Sequence, residues 1–287
     1  MHRMLRAWLM ATRPKTLPAS FAPVLVGTAL AASLGTWRLD LAIGCLVGAL
    51  LLQIGCNFAN DAGDALRGAD TPDRLGPPRA VASGLISPRA MLTGAALVLL
   101  LAAGVGGWLA SQSGWQLWML GLGSVIAALA YTIGPMPLAY IGLGDLFVLL
   151  FFGLAAVLGS AWVQHPMWPL PLAWWLVAIA LGLQATALIA INNLRDIPTD
   201  ARTGKRTLAV RLGDRYTRIY HLGLHVGAAV AWWLGGCHGA GAVALLGGLA
   251  LSLLVWRSHG RSLNRCLGLA AVLQLVTAMT GTACLVR

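Results

Sequence analysis

The segment NFANDAGD at positions 57–64 ends one long apolar run, and NNLRDIPTD at positions 192–200 ends another. If the first run is helical, Asn57, Asp61 and Asp64 lie at i, i+4 and i+7 and share one face. In the second segment the first asparagine and the two aspartates repeat this arrangement at i, i+4 and i+8. Ionisable groups are costly in a membrane and rarely persist there without a partner or a task. The two segments therefore predict a functional site, with a divalent cation as the simplest partner.

The composition predicts a membrane protein. Of 287 residues, 58% are hydrophobic and only 10% are charged, and the mean hydropathy is +0.77. A soluble globule needs more polar surface, so we expect an all-α, polytopic membrane protein. The sequence lacks a basic start followed by a short apolar run and a small-residue cleavage site, so we expect the first apolar run to be kept. The formal net charge of +11 indicates topology and contact with membrane lipids, not nucleic-acid binding.

Cysteine and histidine carry no sign of a metal site. The five cysteines are scattered without C-x-x-C spacing, which argues against a disulfide framework or a zinc site and predicts small apolar packing residues. Among the six histidines, His221 and His225 are four residues apart but have no nearby acids, so we expect them at the membrane interface.

Apolar runs of about 20 residues, the length that a bilayer crossing needs, predict nine transmembrane helices around a central cavity. The predicted spans are 17–34, 40–58, 91–110, 115–132, 146–164, 173–193, 219–236, 240–256 and 266–285. We expect residues 1–287 to form a single transmembrane domain. Within it, residues 1–15 would be an amphipathic cytoplasmic lead, and 59–90 and 194–218 functional loops that cap the cavity on the cytoplasmic side.

The basic residues favour one orientation in the membrane. They concentrate in the N-terminus, in the connections between alternate spans and after residue 256, whereas Arg38 and Arg287 are alone on the other side. The positive-inside rule then places the N-terminus and both acidic segments in the cytoplasm and the C-terminus outside. Tryptophans near the outer ends predict an interfacial belt: Trp37, Trp108, Trp115, Trp118, Trp162, Trp168, Trp174, Trp175, Trp232 and Trp233.

The oxygen ligands of the two segments favour Mg²⁺, which binds one or two carboxylates together with phosphate oxygens. A polyprenyl diphosphate fits this arrangement, because its tail would lie among the helices while its head meets the metal at the membrane edge. Departure of the diphosphate leaves an allylic cation, which a dry cavity protects from water. Basic side chains in the adjoining loops could hold the remaining phosphate charge: Arg67, Arg74, Arg79, Lys205 and Arg206.

Each of these candidates also has a plain structural explanation. The basic side chains fit topology charges or lipid headgroup contacts equally well. Asp70 fits an ion pair with Arg74, and Asp145 fits a helix cap after the Gly/Pro-rich loop that Tyr131 begins. An isolated D-x-x-D is usually a solvated face or a cap, but two copies beside apolar helices favour a site.

The chain resembles the UbiA superfamily of intramembrane prenyltransferases over nearly its whole length. The resemblance rests on RPKTLP at 13–18, NDxxDxxxGxD at 60–70, YTxGP at 131–135, GxGDLFV at 142–148, NNxRD at 192–196 and GKxTLAVRLG at 204–213. Many relatives place the third acid of the first motif four residues after the second, where this chain has Gly68. Asp70 takes that place in the branch that prenylates 1,4-dihydroxy-2-naphthoate in menaquinone biosynthesis, so the chain is most similar to that branch.

The resemblance implies transfer of a polyprenyl group from polyprenyl diphosphate to 1,4-dihydroxy-2-naphthoate, with Mg²⁺ as cofactor and with loss of CO₂ and pyrophosphate, giving demethylmenaquinol. It implies catalytic roles for Asp61, Asp64, Asp196 and Asp200, which would bind the metal together with Asp70. The residues expected to bind substrate are Asn57, Asn60, Asn192, Asn193, Arg67, Arg79, Tyr131, Asp145, Arg195, Lys205, Arg206, Arg13 and Lys15. One of Arg13, Lys15 and Arg79 would hold the acceptor carboxylate. Such a site works by positioning and charge stabilisation.

Two alternatives stay open from the sequence. Proteins of the same fold prenylate 4-hydroxybenzoate, homogentisate or haem, and an acceptor-swap assay separates these activities. A transporter of an anionic substrate is the alternative from another class. It predicts charges deep within the spans, whereas here the acids cluster at one end.

Overall fold

The computed structural model describes residues 2–70, 74–134 and 136–287, without the side chains of His2 and Lys15. The described chain is helical and contains no strand. Short 3₁₀ turns at Pro14–Thr16 and Gly260–Ser262 precede α2 and α11. The helices are α1 His2–Ala11, α2 Pro18–Ala32, α3 Leu39–Leu66, α4 Pro88–Ser113, α5 Trp115–Ala130, α6 Gly144–Val148, a π-helical segment Leu149–Leu158, α7 Gly159–Gln164, α8 Leu172–Arg202, α9 Leu208–Leu234, α10 His238–Arg257 and α11 Leu263–Leu285.

Six helical segments of the described chain are long and apolar enough to cross a bilayer. They are Leu39–Leu66, Pro88–Ser113, the unbroken helix Gly144–Gln164, Leu172–Arg202, His238–Arg257 and Gly260–Leu285. Two apolar helices, α2 and α5, are shorter. Because only internally hydrogen-bonded segments of this length satisfy their backbone in lipid, the chain is a multi-pass membrane protein.

The helices that carry the acidic segments extend beyond the predicted spans. Helix α3 continues past residue 58 to Leu66, and α8 continues past residue 193 and through Pro198 to Arg202. Polar residues ended the apolar runs in the sequence, but in the structure they face the bundle interior, so the backbone stays helical. The first part of each predicted loop, at 59–66 and 194–202, is therefore helix, and α9 already begins at Leu208.

Helix α8 lies at the centre of the bundle and packs against α9, α11 and the π-helical segment. It approaches the π-helical segment closely, since a Cβ added to Gly182 would lie 2.7 Å from the Leu149 carbonyl oxygen. Three residues that the sequence predicts to lie at the membrane interface are instead buried in this core. Trp232, His221 and His225 are each no more than 2% exposed. The prediction that these histidines are interfacial is wrong, because helix packing in the C-terminal half covers them.

Candidate functional site

A cavity of about 830 Å³ opens among α2, α3, α5, the helix at 144–164 and α8. Aromatic and aliphatic side chains such as Trp118, Phe147 and Phe151 form its inner wall. Its polar end is formed by both acidic segments together with the loop between α3 and α4. The lining there includes these predicted site residues: Arg13, Asn57, Asn60, Asp61, Asp64, Arg79, Tyr131, Asp145, Asn192, Asn193, Arg195 and Lys205.

Asp61 holds the loop after α3 against the cavity. Its two carboxylate oxygens accept hydrogen bonds from the backbone N–H groups of Ala80 (3.1 Å) and Val81 (3.0 Å). The carboxylate is buried, so these bonds replace the water that a charged group needs. Asp61 therefore positions the segment that carries Arg79.

Asp64 lies one turn further along α3 and has two partners. Its carboxylate accepts from the Arg79 guanidinium at 2.7 Å and from the Tyr140 hydroxyl at 2.8 Å. Two guanidinium nitrogens of Arg79, Nε and Nη1, are buried without a hydrogen-bond partner. A buried guanidinium with free donors is well suited to bind an anion.

Asp70 and Arg74 continue this charged layer. Arg74 Nη1 lies 2.5 Å from Asp70 Oδ1, and Arg79 Nε lies 3.5 Å from the same oxygen. The ion pair that the sequence left open is therefore present. Burial raises the pKa of Asp70 to about 6, although the neighbouring Arg74 opposes the shift. Its second oxygen, Oδ2, is buried without a partner.

Arg13 enters the same end of the cavity from the turn before α2. It has a left-handed backbone conformation (φ 53°), which is uncommon outside glycine and asparagine. Its Nη2 is buried without a partner, and burial, together with the charge of Arg74, lowers its pKa. Asn57 fixes this turn by donating to the Thr12 carbonyl at 3.0 Å. The turn thus places a second incompletely paired guanidinium at the polar end.

The second acidic segment is organised around Arg195. Its guanidinium binds both oxygens of Asp196, at 2.8 and 2.6 Å. It also donates to Asn192 at 2.8 Å and to Asn264 of α11 at 2.7 Å. Asn264 in turn donates to the Leu75 carbonyl at 3.1 Å, so α11 links the second acidic segment to the loop that follows the first.

Lys205 and Tyr140 join the second segment to the first. Lys205 Nζ lies 3.9 Å from Asp200 and 5.5 Å from the centre of the Tyr140 ring. Arg67 lies on the same ring at 5.3 Å. Tyr140 also donates to Asp64 of the first segment, so one aromatic side chain contacts that segment and the lysine that pairs with Asp200 of the second.

Asp145 lies apart from the arginines, in the cavity wall at the start of α6. It is buried and accepts a hydrogen bond from Asn193 at 3.3 Å. The Tyr220 hydroxyl lies near this carboxylate. The alternative of a helix cap is not observed, because the residue before α6 is Leu143 and makes no side-chain cap.

The structure separates a few predicted residues from the cavity. Arg67 and Arg206 are exposed, and Asp70, Asp196 and Asp200 lie behind the residues that line it. Lys15 lies outside the described side chains. Sequence reasoning missed Tyr140, Asn264 and Tyr220. Tyr140 lies in the same Gly/Pro-rich loop as Tyr131, which was a usable signal. No signal in the sequence pointed to Asn264 or Tyr220.

The donor set fits a divalent cation together with a polyanion. Carboxylate and amide oxygens suit Mg²⁺, and the unpaired oxygen of Asp70 and unpaired nitrogens of Arg13 and Arg79 leave ligands for both charges. In the described residues, no three acidic, histidine or cysteine side chains are grouped closely enough to share one ion. Asp64, Asp196 and Asp200 are instead paired with arginine or lysine, and Asp61 accepts hydrogen bonds from backbone N–H groups.

Comparison with known proteins identifies relatives of the whole arrangement. Residues 20–280 match the model of the UbiA prenyltransferase family. The chain is 47% identical over 234 residues to "1,4-dihydroxy-2-naphthoate octaprenyltransferase" of Escherichia coli (strain K12), covering 78% of this chain and 74% of that protein. It is 44% identical over 230 residues to the protein of the same name from Mycobacterium tuberculosis, covering 78% and 75%.

Solved structures share the fold at low sequence identity. A UbiA homolog from Archaeoglobus fulgidus bound to DMAPP and Mg²⁺ superposes with a TM-score of 0.73 at 15% identity, covering 98% of this chain and 99% of that chain. A UbiA homolog from Aeropyrum pernix K1 has a TM-score of 0.73 at 18% identity, covering 92% and 96%. The family match spans most of the sequence and agrees with the helical fold, so the chain belongs to the UbiA prenyltransferase family.

Proposed function

We propose that this protein is a 1,4-dihydroxy-2-naphthoate polyprenyltransferase. It transfers a polyprenyl group from polyprenyl diphosphate to the naphthoate ring, releasing CO₂ and pyrophosphate to give demethylmenaquinol. The observation that carries the proposal is the high identity, over three quarters of both chains, to proteins named for this reaction. The cavity agrees with it, since it joins an apolar chamber to a charged end.

We propose that the charged end binds the diphosphate with Mg²⁺. Asp61, Asp64, Asp70, Asp196 and Asp200 would hold the metal, with help from Asn57, Asn60 and Asn192. When bound, Mg²⁺ supplies Lewis-acid stabilisation of the departing pyrophosphate.

The arginines that now pair with these carboxylates can bind phosphate as well. Arg79 and Arg195 are each buried beside an acid, so a guanidinium that turns from carboxylate to phosphate keeps a charged partner throughout. Lys205 is close enough to Asp200 to act in the same way. This exchange would let the site bind a polyanion without leaving a charge unpaired.

The rest of the cavity suits the tail and the acceptor. Its apolar wall, with Phe147, Phe151 and Trp118, can hold a prenyl chain and exclude water from an allylic cation. Asp145 and Asn193 face the same space and can hydrogen-bond the acceptor hydroxyls. Arg13 lines the cavity with an incompletely paired guanidinium, so it can hold the acceptor carboxylate.

We further propose the topology and setting. The whole chain would be one domain of nine transmembrane helices in a bacterial inner membrane, with the loop segments at 67–70, 74–86 and 203–207 as a cytoplasmic cap. Helix α1 exposes Met4, Leu5 and Leu9 beside Arg3 and Arg6, which suits a helix lying on anionic lipid headgroups. The N-terminus would then be cytoplasmic and the C-terminus outside, as the distribution of arginines favours.

The test is an acceptor panel with a matched pair of variants. Purified protein, Mg²⁺ and a polyprenyl diphosphate are incubated with 1,4-dihydroxy-2-naphthoate, 4-hydroxybenzoate or homogentisate, and products are weighed by mass spectrometry. We expect prenylated, decarboxylated product from the naphthoate alone. Asp64→Asn should abolish product formation, whereas Asp214→Asn should retain it. Asp214 is an exposed acid that pairs with Arg218 on α9. Preference for another acceptor, or full activity of Asp64→Asn, would refute the proposal.

A further inference from the structure

Two cysteines meet at the end of the molecule opposite the acidic segments. Cys237 lies between α9 and α10, and Cys284 lies in the last turn of α11. The Cys237 thiol points at the carbonyl oxygen of Gly281, with Sγ and oxygen 3.8 Å apart. The Cys284 thiol points at the carbonyl oxygen of Gly236, at 3.7 Å. Each thiol therefore contacts backbone beside the other cysteine, and the two side chains lie close to each other.

The direction of the helices places this pair far from the charged end. Helix α9 starts beside the loop in which the Arg206 N–H binds the Tyr140 carbonyl, and it runs away from that loop to Leu234. Helix α11 starts next to Asn264, which contacts the loop after α3, and it runs in the same direction. On the proposed topology the cysteines are at the outer surface, where the compartment is oxidising and disulfides persist.

The two thiols differ in access. Cys237 is 1% exposed, whereas Cys284 is only partly buried. Burial and the neighbouring Cys284 raise the pKa of Cys237 to about 12. Because the thiolate is the reactive form, Cys284 is the thiol that first meets an external oxidant.

The other three cysteines lie in different surroundings. The Cys56 thiol faces the side chain of Asn60, the Cys266 thiol faces the Ser258 hydroxyl, and Cys45 is buried in a separate apolar cluster. Cys266 is on the same helix as Cys284 but at the opposite end, which makes it a matched control.

We propose that Cys237 and Cys284 form a disulfide that ties the turn between α9 and α10 to the end of α11. The proposal replaces the sequence-based prediction that both are only packing residues, and it rests on the topology proposed above. The oxidant is a protein dithiol oxidase in its disulfide form. Cys284 attacks that disulfide and releases one oxidant thiol, and Cys237 then attacks the Cys284 sulfur and releases the second. Two protons leave the cysteines, and their two electrons reduce the oxidant.

The test counts free thiols in protein taken directly from bacterial membranes. Membranes are quenched with acid, denatured and labelled with a maleimide, with or without prior reduction, and the protein is weighed. Of the five cysteines, we expect three to be labelled without reductant and five with it. Cys284→Ser and Cys237→Ser should each show four labelled thiols in both conditions, because the remaining partner is freed. The control Cys266→Ser should show two without reductant and four with it.

Five labelled thiols in the unreduced wild-type protein would overturn the proposal. Treating the purified protein with copper phenanthroline then separates two causes of failure. If the added oxidant joins Cys237 to Cys284, the geometry holds and the compartment was assigned wrongly. If it does not, the thiols are not close enough to react. Neither result bears on prenyl transfer, which is measured separately on the same preparation.

Discussion

Replacing Arg195 with methionine should destabilise the protein strongly, because the change leaves a carboxylate buried without its cation. The Arg195 and Asp196 side chains are 1% and 8% exposed, and their closest atoms are 2.6 Å apart. Removing one partner of a buried ion pair costs about 3–5 kcal/mol. The hydrogen bonds to Asn192 and Asn264 are lost with it, and they are part of that total. This is a large fraction of the roughly 5–15 kcal/mol that holds a typical domain folded.

The matched control is Arg38→Met. Arg38 and Asp40 are also 2.6 Å apart, but their side chains are 57% and 50% exposed. Water and salt screen such a pair, so we expect no measurable loss of stability. Thermal unfolding of both variants in the same detergent compares a buried pair with an exposed pair of equal length.

The double variant Arg195→Met with Asp196→Leu separates the cost of an unpaired charge from lost packing. If the unpaired carboxylate causes the damage, removing it should return most of the lost stability, because an apolar pair of similar volume often replaces a buried ion pair without loss. Prenyl transfer should stay absent, since Asp196 is a proposed metal ligand. The reasoning fails if Arg195→Met is no less stable than Arg38→Met, or if the double variant is as unstable as the single one.

Two further predictions concern packing and pH. Gly182→Ala should cost about 1–3 kcal/mol by overpacking, because its Cβ would lie 2.7 Å from a backbone oxygen, whereas Gly104→Ala, with open space around it, should be neutral or slightly stabilising in the same unfolding assay. Burial raises the pKa of Asp70 from 3.8 to about 6, so the folded state binds this proton more tightly than the unfolded state. The contribution of Asp70 to stability should therefore fall as pH rises from about 3.8 to about 6. Asp70→Asn should lack that part of the pH dependence; an unchanged pH profile would contradict the assignment.

The apolar runs and the two acidic segments were readable from the sequence because they depend on local composition. Each predicted span overlaps a helix, and both Asp61 and Asp196 lie on helix faces turned toward the interior. The ends of α3 and α8 could not be predicted from the sequence. A hydropathy pattern ends at the first polar residues, whereas these two helices continue beyond them. His221 and His225 were misplaced for a related reason: their burial depends on contacts with α10, where Ser252 bonds His221 from 31 residues away in the sequence.

Local pattern thus determined that the chain is a membrane-embedded helical protein with acids at one end and residues typical of a prenyltransferase. Only the tertiary structure decided which cation pairs with which acid, because Arg79 reaches Asp64 by a loop and Asn264 reaches Arg195 across 69 residues of chain. It likewise brought Cys237, in the turn between α9 and α10, close to Cys284 at the end of α11. Such contacts depend on how the helices pack in three dimensions, and the order of residues along one helix does not contain that information.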